Sequence, residues 1–291
     1  MRLLSYQGDA ATDRLAVAIS PDTVVDVADL LGERQWTMAR LLDDVPRNLA
    51  RLRAVLDSGP TSGGLSLATL RVLPPVPRPG KIIAVGRNYR EHAAEEEVGV
   101  PEAPLLFAKL PTALVGDGAA VTWSAALATQ VDYEAELAVV IGRTARNVPI
   151  EHALAFVLGY SCLNDVSARD LQVQDGQWTR AKSLDTFCPM GPWVVTADEI
   201  ADPGQLRIRC RVNGEVRQDE STAALVRGVG ELIAYCSRSF TLEPGDVIAT
   251  GTPGGVGAAR TPPRFLGPGD VVRTTIEGIG SCTNPCQAVT P

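Results

Sequence analysis

The apolar and polar positions divide the chain into two stretches of different character. In the first, residues 15–19 (LAVAI) and 23–27 (TVVDV) read as short strands around the turn-forming Ser20-Pro21-Asp22. Over residues 37–56, Leu41, Leu42, Leu49, Leu52 and Leu56 fall close to helical spacing and predict a helix. Pro74, Pro75, Pro77 and Pro79 then stiffen residues 74–80, because each ring fixes its own φ and restrains its predecessor. These breaks predict a small N-terminal domain at residues 1–73, a linker at 74–80 and a larger domain at 81–291. The second stretch is richer in strands. Residues 81–86 (KIIAVG) read as a buried strand, and residues 87–98 as a polar, helical excursion. A helix is predicted over 222–238, with Leu225, Val226, Val229, Leu232, Ile233 and Cys236 on one side. Pro244-Gly245 and Pro268-Gly269 each suit the centre of a type II turn that feeds a strand.

The most informative pattern is residues 132–142, DYEAELAVVIG. Strand alternation sends Asp132, Glu134 and Glu136 to one face, and Tyr133, Ala135, Leu137, Val139 and Ile141 to the other. Acidic residues are poor strand formers, and three on one face repel unless a positive charge sits among them. A hard divalent cation that takes oxygen ligands would supply that charge. The solvated face of a half-buried strand would carry the same pattern.

Composition narrows the partners. The 291 residues are 45% hydrophobic and 21% charged, as in an ordinary globular protein. A net charge of −7 and a pI near 5.0 argue against nucleic acid or an anionic membrane as the partner. No apolar run approaches transmembrane length, and the N-terminus turns polar too early for a signal peptide. The six cysteines lie mostly among apolar neighbours and read as reduced thiols, which suits a cytoplasmic protein.

Four further segments carry candidate chemistry. A helix starting at Asn164 or Asp165 would place Asp165, Arg169 and Gln172 on one face; an exposed Asp/Arg pair has the same spacing. Lys182 stands among small and aromatic residues, which suits a positioned ammonium, though a surface lysine fits too. Residues 249–257 (ATGTPGGVG) could cradle an anion on backbone N–H groups, but they lack the Gly-Lys-Ser/Thr ending of a P-loop. On a helix His92 meets Glu95 and Glu96, and a carboxylate beside imidazole suits a water-activating base. An isolated surface His–Glu pair would look alike.

Taken in order, GRNYREHAAE, DYEAELAVVIG, NDVSARDLQ, AKSLDTFCPMGPW, VNGEVRQ and GDVIATGTPGGVG resemble the fumarylacetoacetate hydrolase family over residues 81–275. The N-terminal stretch resembles the extra domain of that family's bacterial isomerase and decarboxylase-like branch. The resemblance implies an α+β fold: a rolled mixed β-sandwich catalytic domain with a small α/β N-terminal domain, assembled as a homodimer. It implies Mg²⁺ or Mn²⁺ on Glu134, Glu136 and Asp165, with Lys182 contacting substrate nearby. Arg169 and Gln172 would form a polar wall, Thr252 would hold the substrate carboxylate, and Arg87 and Tyr89 would join the substrate side. His92 and Glu95 would form a catalytic dyad on a lid. Two positions depart from the family pattern: Leu184 replaces a usual phenylalanine, and Glu96 a usual methionine, adding a carboxylate near His92. The implied substrate is a small anionic 2-oxo acid whose enolate a metal can stabilise. The first expectation is C–C bond hydrolysis of an acylpyruvate, with His92 activating water. The second is decarboxylation or keto–enol isomerisation of a 2-oxo or 2-hydroxy-dienoic diacid such as oxaloacetate. A third, from another class, is a catalytically idle metal- or oxo-acid-binding protein.

Overall fold

The apolar run after Glu136 is continuous because its strand is covered on both faces. In the computed structural model, which describes residues 1–59, 63–95 and 99–289, every residue of the strand Ala135–Ile141 is buried. Leu137, Val139 and Ile141 enter a core shared with Ile208, Val272 and Cys282, whereas Ala138 and Val140 enter one shared with Leu3, Val17 and Leu41. Antiparallel neighbours flank it: Val157–Asn164 on one side and Val247–Ala249 on the other.

This strand lies inside an 11-stranded sheet. Beyond Val247–Ala249 the sheet continues through Ile82–Gly86, paired with it in parallel, to Leu105–Lys109, and an eleventh strand, Leu114–Val115, pairs in parallel with Cys188–Thr196. Beyond Val157–Asn164 it continues through Cys188–Thr196 to the N-terminal strand Arg2–Gln7, then Asp13–Ala18, Thr23–Asp26 and Leu65–Ser66. A second, five-stranded sheet runs Glu215–Ser221, Arg207–Val212, Val271–Ile276, Gly280–Ala288 and Val121–Trp123. Its apolar face supplies Ile208, Cys210, Val272 and Ile276 to the first core. The fold is therefore α+β with mixed sheets, as expected.

The predicted hairpin near the N-terminus forms, with Val17 opposite Val25. Its sheet does not stop there, because Arg2 and Leu3 pair with Val195 and Val194 of the strand Cys188–Thr196. Three predicted helices differ in extent. Residues 37–56 form two, Met38–Leu42 and Val45–Asp57; Asp44 caps the second through Arg47 N–H, with Pro46 in its first turn. The helix expected over 222–238 begins at Val229, where Glu231 accepts a hydrogen bond from Gly228 N–H, and residues Thr222–Ala224 form only a 3₁₀ turn. The excursion at 87–98 holds the helix Arg90–Glu95, and residues 96–98 lie outside the described residues. Both Pro-Gly turns are present: Gly245 and Gly269 have φ of +90° and +93°. Among the described residues no helix is long and apolar enough to cross a membrane.

The closest strand packing gives a direct test of this sheet order. A Cβ on Gly159 would lie 2.1 Å from the Val195 carbonyl oxygen, a backbone atom that cannot swing aside. Gly159→Ala should destabilise the protein by about 1–3 kcal/mol, the usual cost of overpacking. Urea denaturation measures it; an unchanged midpoint would contradict the close pairing of these strands.

Candidate metal centre and cleft

The central sheet brings three carboxylates together. Glu136 is on the strand Ala135–Ile141, Glu134 just precedes it, and Asp165 just follows Val157–Asn164. Ala135 pairs with Asn164, the Asp165 N–H donates to the Glu134 carbonyl at 2.8 Å, and the Glu134 N–H donates to Asn164 Oδ1 at 2.9 Å. One oxygen from each of the three buried residues lies within 4.8 Å of the others. The expected triad is assembled, though by a different local route. The strand is interrupted after Asp132, so Asp132 leaves the face of Glu134 and Glu136. The helix begins at Arg169, four residues later than expected, because Ser167–Ala168 first pairs with Val131–Asp132.

The charges around the triad alternate. Arg169 Nε is 3.0 Å from Asp132 Oδ2, and Arg169 Nη2 is 2.6 Å from Glu134 Oε1. Lys182 Nζ bridges Glu134 Oε2 at 2.7 Å and Asp165 Oδ2 at 2.9 Å. Lys109 Nζ lies 2.6 Å from Asp165 Oδ1 and also donates to the Lys182 carbonyl. Burial alone would raise the Glu134 carboxyl, but the Lys182 and Arg169 charges overcome it and hold it at about 2. Glu136 differs. Its hydrogen bond comes from Gly251 N–H at 2.7 Å, and it has no ion pair among the described residues. Burial, then repulsion from Asp165 and Glu134, pushes it well above the ordinary carboxylate range.

With Glu136 ionised, as a metal ligand must be, four carboxylates (Asp132, Glu134, Glu136, Asp165) face three cations (Lys109, Arg169, Lys182), and one negative charge is left for a bound cation to offset. A hard divalent cation fits this donor set in ligand type and in charge. Glu134, Glu136 and Asp165 are the residues that would hold it.

A narrow cavity lies beside the triad. Arg87, His92, Arg169, Gln172, Lys182 and Thr252 line it, with Phe107 and Trp178 as apolar walls. His92 is buried on Arg90–Glu95, its Nδ1 3.8 Å from Glu95 Oε2, while Glu95 Oε1 accepts from Gly255 N–H at 2.7 Å. Glu96, the other candidate partner, lies outside the described residues. Gln172 Oε1 accepts from Arg169 Nη1 at 3.1 Å. The Thr252 hydroxyl donates to the Ala135 carbonyl and accepts from Gln218 Nε2, so it is already anchored to the central strand. Arg87 adopts φ +56° and lies with its guanidinium 5.5 Å from the centroid of the Trp178 ring. The preceding position must be glycine, since a Cβ on Gly86 would sit 2.4 Å from that ring. Tyr89 is absent from the lining residues but is buried near enough to the triad that the Glu136 charge, after burial itself, pushes its hydroxyl pKa up; Asn88 beside it is pinned to the Thr250 and Arg227 carbonyls. Two contributors escaped the sequence reading. Lys109 ends a strand in an ordinary-looking way, and its carboxylate partner is 56 residues distant. Gln218 takes the Ala135 N–H and steadies Thr252 and the Pro253 carbonyl.

Three buried carboxylates that could hold a metal ion thus border a cavity lined by Arg87, Arg169 and Lys182. The chain belongs to the fumarylacetoacetate hydrolase family: residues 81–287 match the family model described as fumarylacetoacetate (FAA) hydrolase C-terminal. It is 40% identical over 289 residues to the mitochondrial oxaloacetate tautomerase fahd2 of Xenopus laevis, spanning 98% of this chain and 90% of that protein. It is 46% identical over 222 residues to the oxaloacetate tautomerase YisK of Bacillus subtilis, spanning 75% and 74%. Among solved structures it resembles maleylpyruvate hydrolase from Sphingobium sp. SYK-6 in complex with manganese(II) and pyruvate. That match has a TM-score of 0.83 and 34% identity, and covers 100% of both chains.

Removing the uncompensated charge should separate stability from metal binding. With Mn²⁺ at a hundred times its dissociation constant, the native protein should gain about 2.7 kcal/mol. Glu136→Gln should lose that gain while remaining at least as stable without metal, because it relieves repulsion from Glu134 and Asp165. Thermal melts with and without Mn²⁺ decide this. A full Mn²⁺ shift in the variant would remove Glu136 from the site.

Proposed function

We propose that this protein is an Mg²⁺- or Mn²⁺-dependent enzyme that interconverts the enol and keto forms of a compact 2-oxo dicarboxylate of the oxaloacetate type. The observation that carries the reading is the buried triad, whose Glu136 has no ion-pair partner among the described residues and is left for a bound cation. With Glu136 ionised and a divalent cation added, the cluster is net positive by one, which balances one substrate carboxylate. Arg87 lines the same cavity and is the candidate contact for a second carboxylate.

A divalent ion held by Glu134, Glu136 and Asp165 supplies Lewis-acid stabilisation for charge developing on a keto oxygen. The chain's own groups do the rest. Lys182 balances Glu134 and Asp165 from within the cavity wall. His92 faces the cavity and exchanges a proton with the carbon next to the keto group, and Glu95 orients its imidazole. Phe107 and Trp178 supply apolar walls beside Lys182 and Arg87.

The two curated relatives described above are oxaloacetate tautomerases, which supports keto–enol chemistry over the acylpyruvate hydrolysis expected first. Hydrolysis is the second reading, supported by the likeness to a maleylpyruvate hydrolase along the whole chain. It asks for a water activated against a distal carbonyl and for room to hold two product fragments.

The test is the decay of freshly dissolved enol-oxaloacetate, followed by ultraviolet absorbance, with NMR identification of products. The expected result is acceleration that a chelator abolishes, without pyruvate release. Faster hydrolysis of an acylpyruvate would establish the second reading, and Mn²⁺ binding without turnover of either substrate would establish an idle binding protein. Arg87→Met should raise KM for oxaloacetate roughly 10–100-fold, the loss of a charged hydrogen bond worth ~1.5–3 kcal/mol. It should leave KM for the monocarboxylate phenylpyruvate unchanged; equal effects on both would take Arg87 away from the second carboxylate.

A further inference from the structure

Asp132 is the one carboxylate of the cluster that the proposed chemistry does not use. It is 0% exposed and saturated with donors. Its Oδ1 accepts from Gly257 N–H at 2.7 Å and Tyr133 N–H at 2.9 Å, and its Oδ2 from Ala258 N–H and Arg169 Nε, both at 3.0 Å. Two features of the site meet at this side chain. One is Arg169, whose other nitrogens hold Gln172 at 3.1 Å and Glu134 at 2.6 Å. The other is the Gly-rich loop, which also binds Glu95 through Gly255 N–H and accepts the Tyr133 hydroxyl on the Gly255 carbonyl. The approach is close on both sides: a Cβ on Gly257 would lie 2.6 Å from Asp132 Oδ1, and one on Gly255 would lie 2.2 Å from the Arg217 carbonyl oxygen.

We propose that Asp132 is a positioning residue that fixes the Arg169 guanidinium, so that Arg169 presents Glu134 to the divalent cation. Its grip on the Gly-rich loop places Glu95, and with it His92, in register with the same cation. Without the Asp132 charge, Glu134, already 2.6 Å away, is the one carboxylate left to Arg169 among the described residues, and the guanidinium loses the contact that fixes its other edge. Its whole charge then falls on the Glu134 oxygen and competes with a metal for it. This inference rests on the metal-dependent reading above.

The test measures Mn²⁺ affinity without substrate, by calorimetry or by the electron paramagnetic resonance of free Mn²⁺. Asp132→Asn, which keeps size and removes charge, should weaken Mn²⁺ roughly 10–100-fold, the usual effect of losing a partner behind a metal ligand. A carboxylate acting only through space would also weaken the ion, so Arg169→Gln supplies the distinction. If Asp132 acts through Arg169, the double variant binds Mn²⁺ no more weakly than Arg169→Gln alone. Additive losses would overturn the proposal, as would native affinity in Asp132→Asn. Should the asparagine variant fail to fold, Asp132→Ser, with room for a water between the loop amides and Arg169, carries the same expectation. Absence of Mn²⁺ binding by the native protein would instead sink the metal-dependent reading, and this inference with it.

Discussion

The site depends on an alternating run of buried charges: Asp132, Arg169, Glu134, Lys182, Asp165, Lys109. An ion taken out of water is costly unless a partner and hydrogen bonds replace its hydration, and each member here touches an opposite charge at 2.6–3.0 Å. Glu136 stands outside the run. It is the one carboxylate of the cluster without an ion pair among the described residues, and a bound cation would supply the charge that it lacks. Replacing Arg169 by an apolar residue would strand Asp132, and replacing Asp165 would strand Lys109, so the ends of the run depend on its inner members.

Such a run requires parts of the chain far apart in sequence to stay in register, and the central strand supplies that. Both faces of Ala135–Ile141 are buried, one against the second sheet and the other beneath Leu3, Val17 and Leu41. The N-terminal strands thus reach the site indirectly. By pairing with Cys188–Thr196 they extend the sheet whose middle carries Glu136 and Asp165. The break between Asp132 and Ala135 matters equally. It lets Glu134 meet Arg169 and Lys182 while Asp132 turns to the Gly-rich loop.

The triad was legible because acidic residues at strand spacing are rare without a reason, and Lys182 because of its small and aromatic neighbours. What the sequence hid was non-local. Lys109 closes an apolar strand as many surface lysines do, and only the fold brings Asp165 to it. Asp132 obeys the same alternation as Glu134 and Glu136, yet amides of residues 257 and 258 draw it elsewhere. Local propensity also put a helix start at residue 164 or 165. The hydrogen bond from Asp165 N–H to the Glu134 carbonyl keeps that segment extended, which is what lets Asp165 face the triad. Residues 37–56 failed for a local reason: Asp44 and Pro46 favour a fresh helix start over continuation.

Enol–keto exchange and C–C hydrolysis both build negative charge on a keto oxygen beside a carboxylate, so a carboxylate triad alone does not choose between them. The choice falls to whatever places a proton or a water opposite the cation. On the proposed reading the base side is the helix Arg90–Glu95, and Glu95 ties it to Gly255. The triad reaches the same loop through Arg169 and Asp132, which accepts from Gly257 and Ala258 N–H. One short segment, residues 255–258, thus links the two sides. A proton exchanged at the carbon beside the keto group needs the base close to the cation. Attack by water on a distal carbonyl needs it farther away, with space between. A base and a carboxylate triad fastened to the same few residues suit the shorter distance, which is why the proposal favours proton transfer.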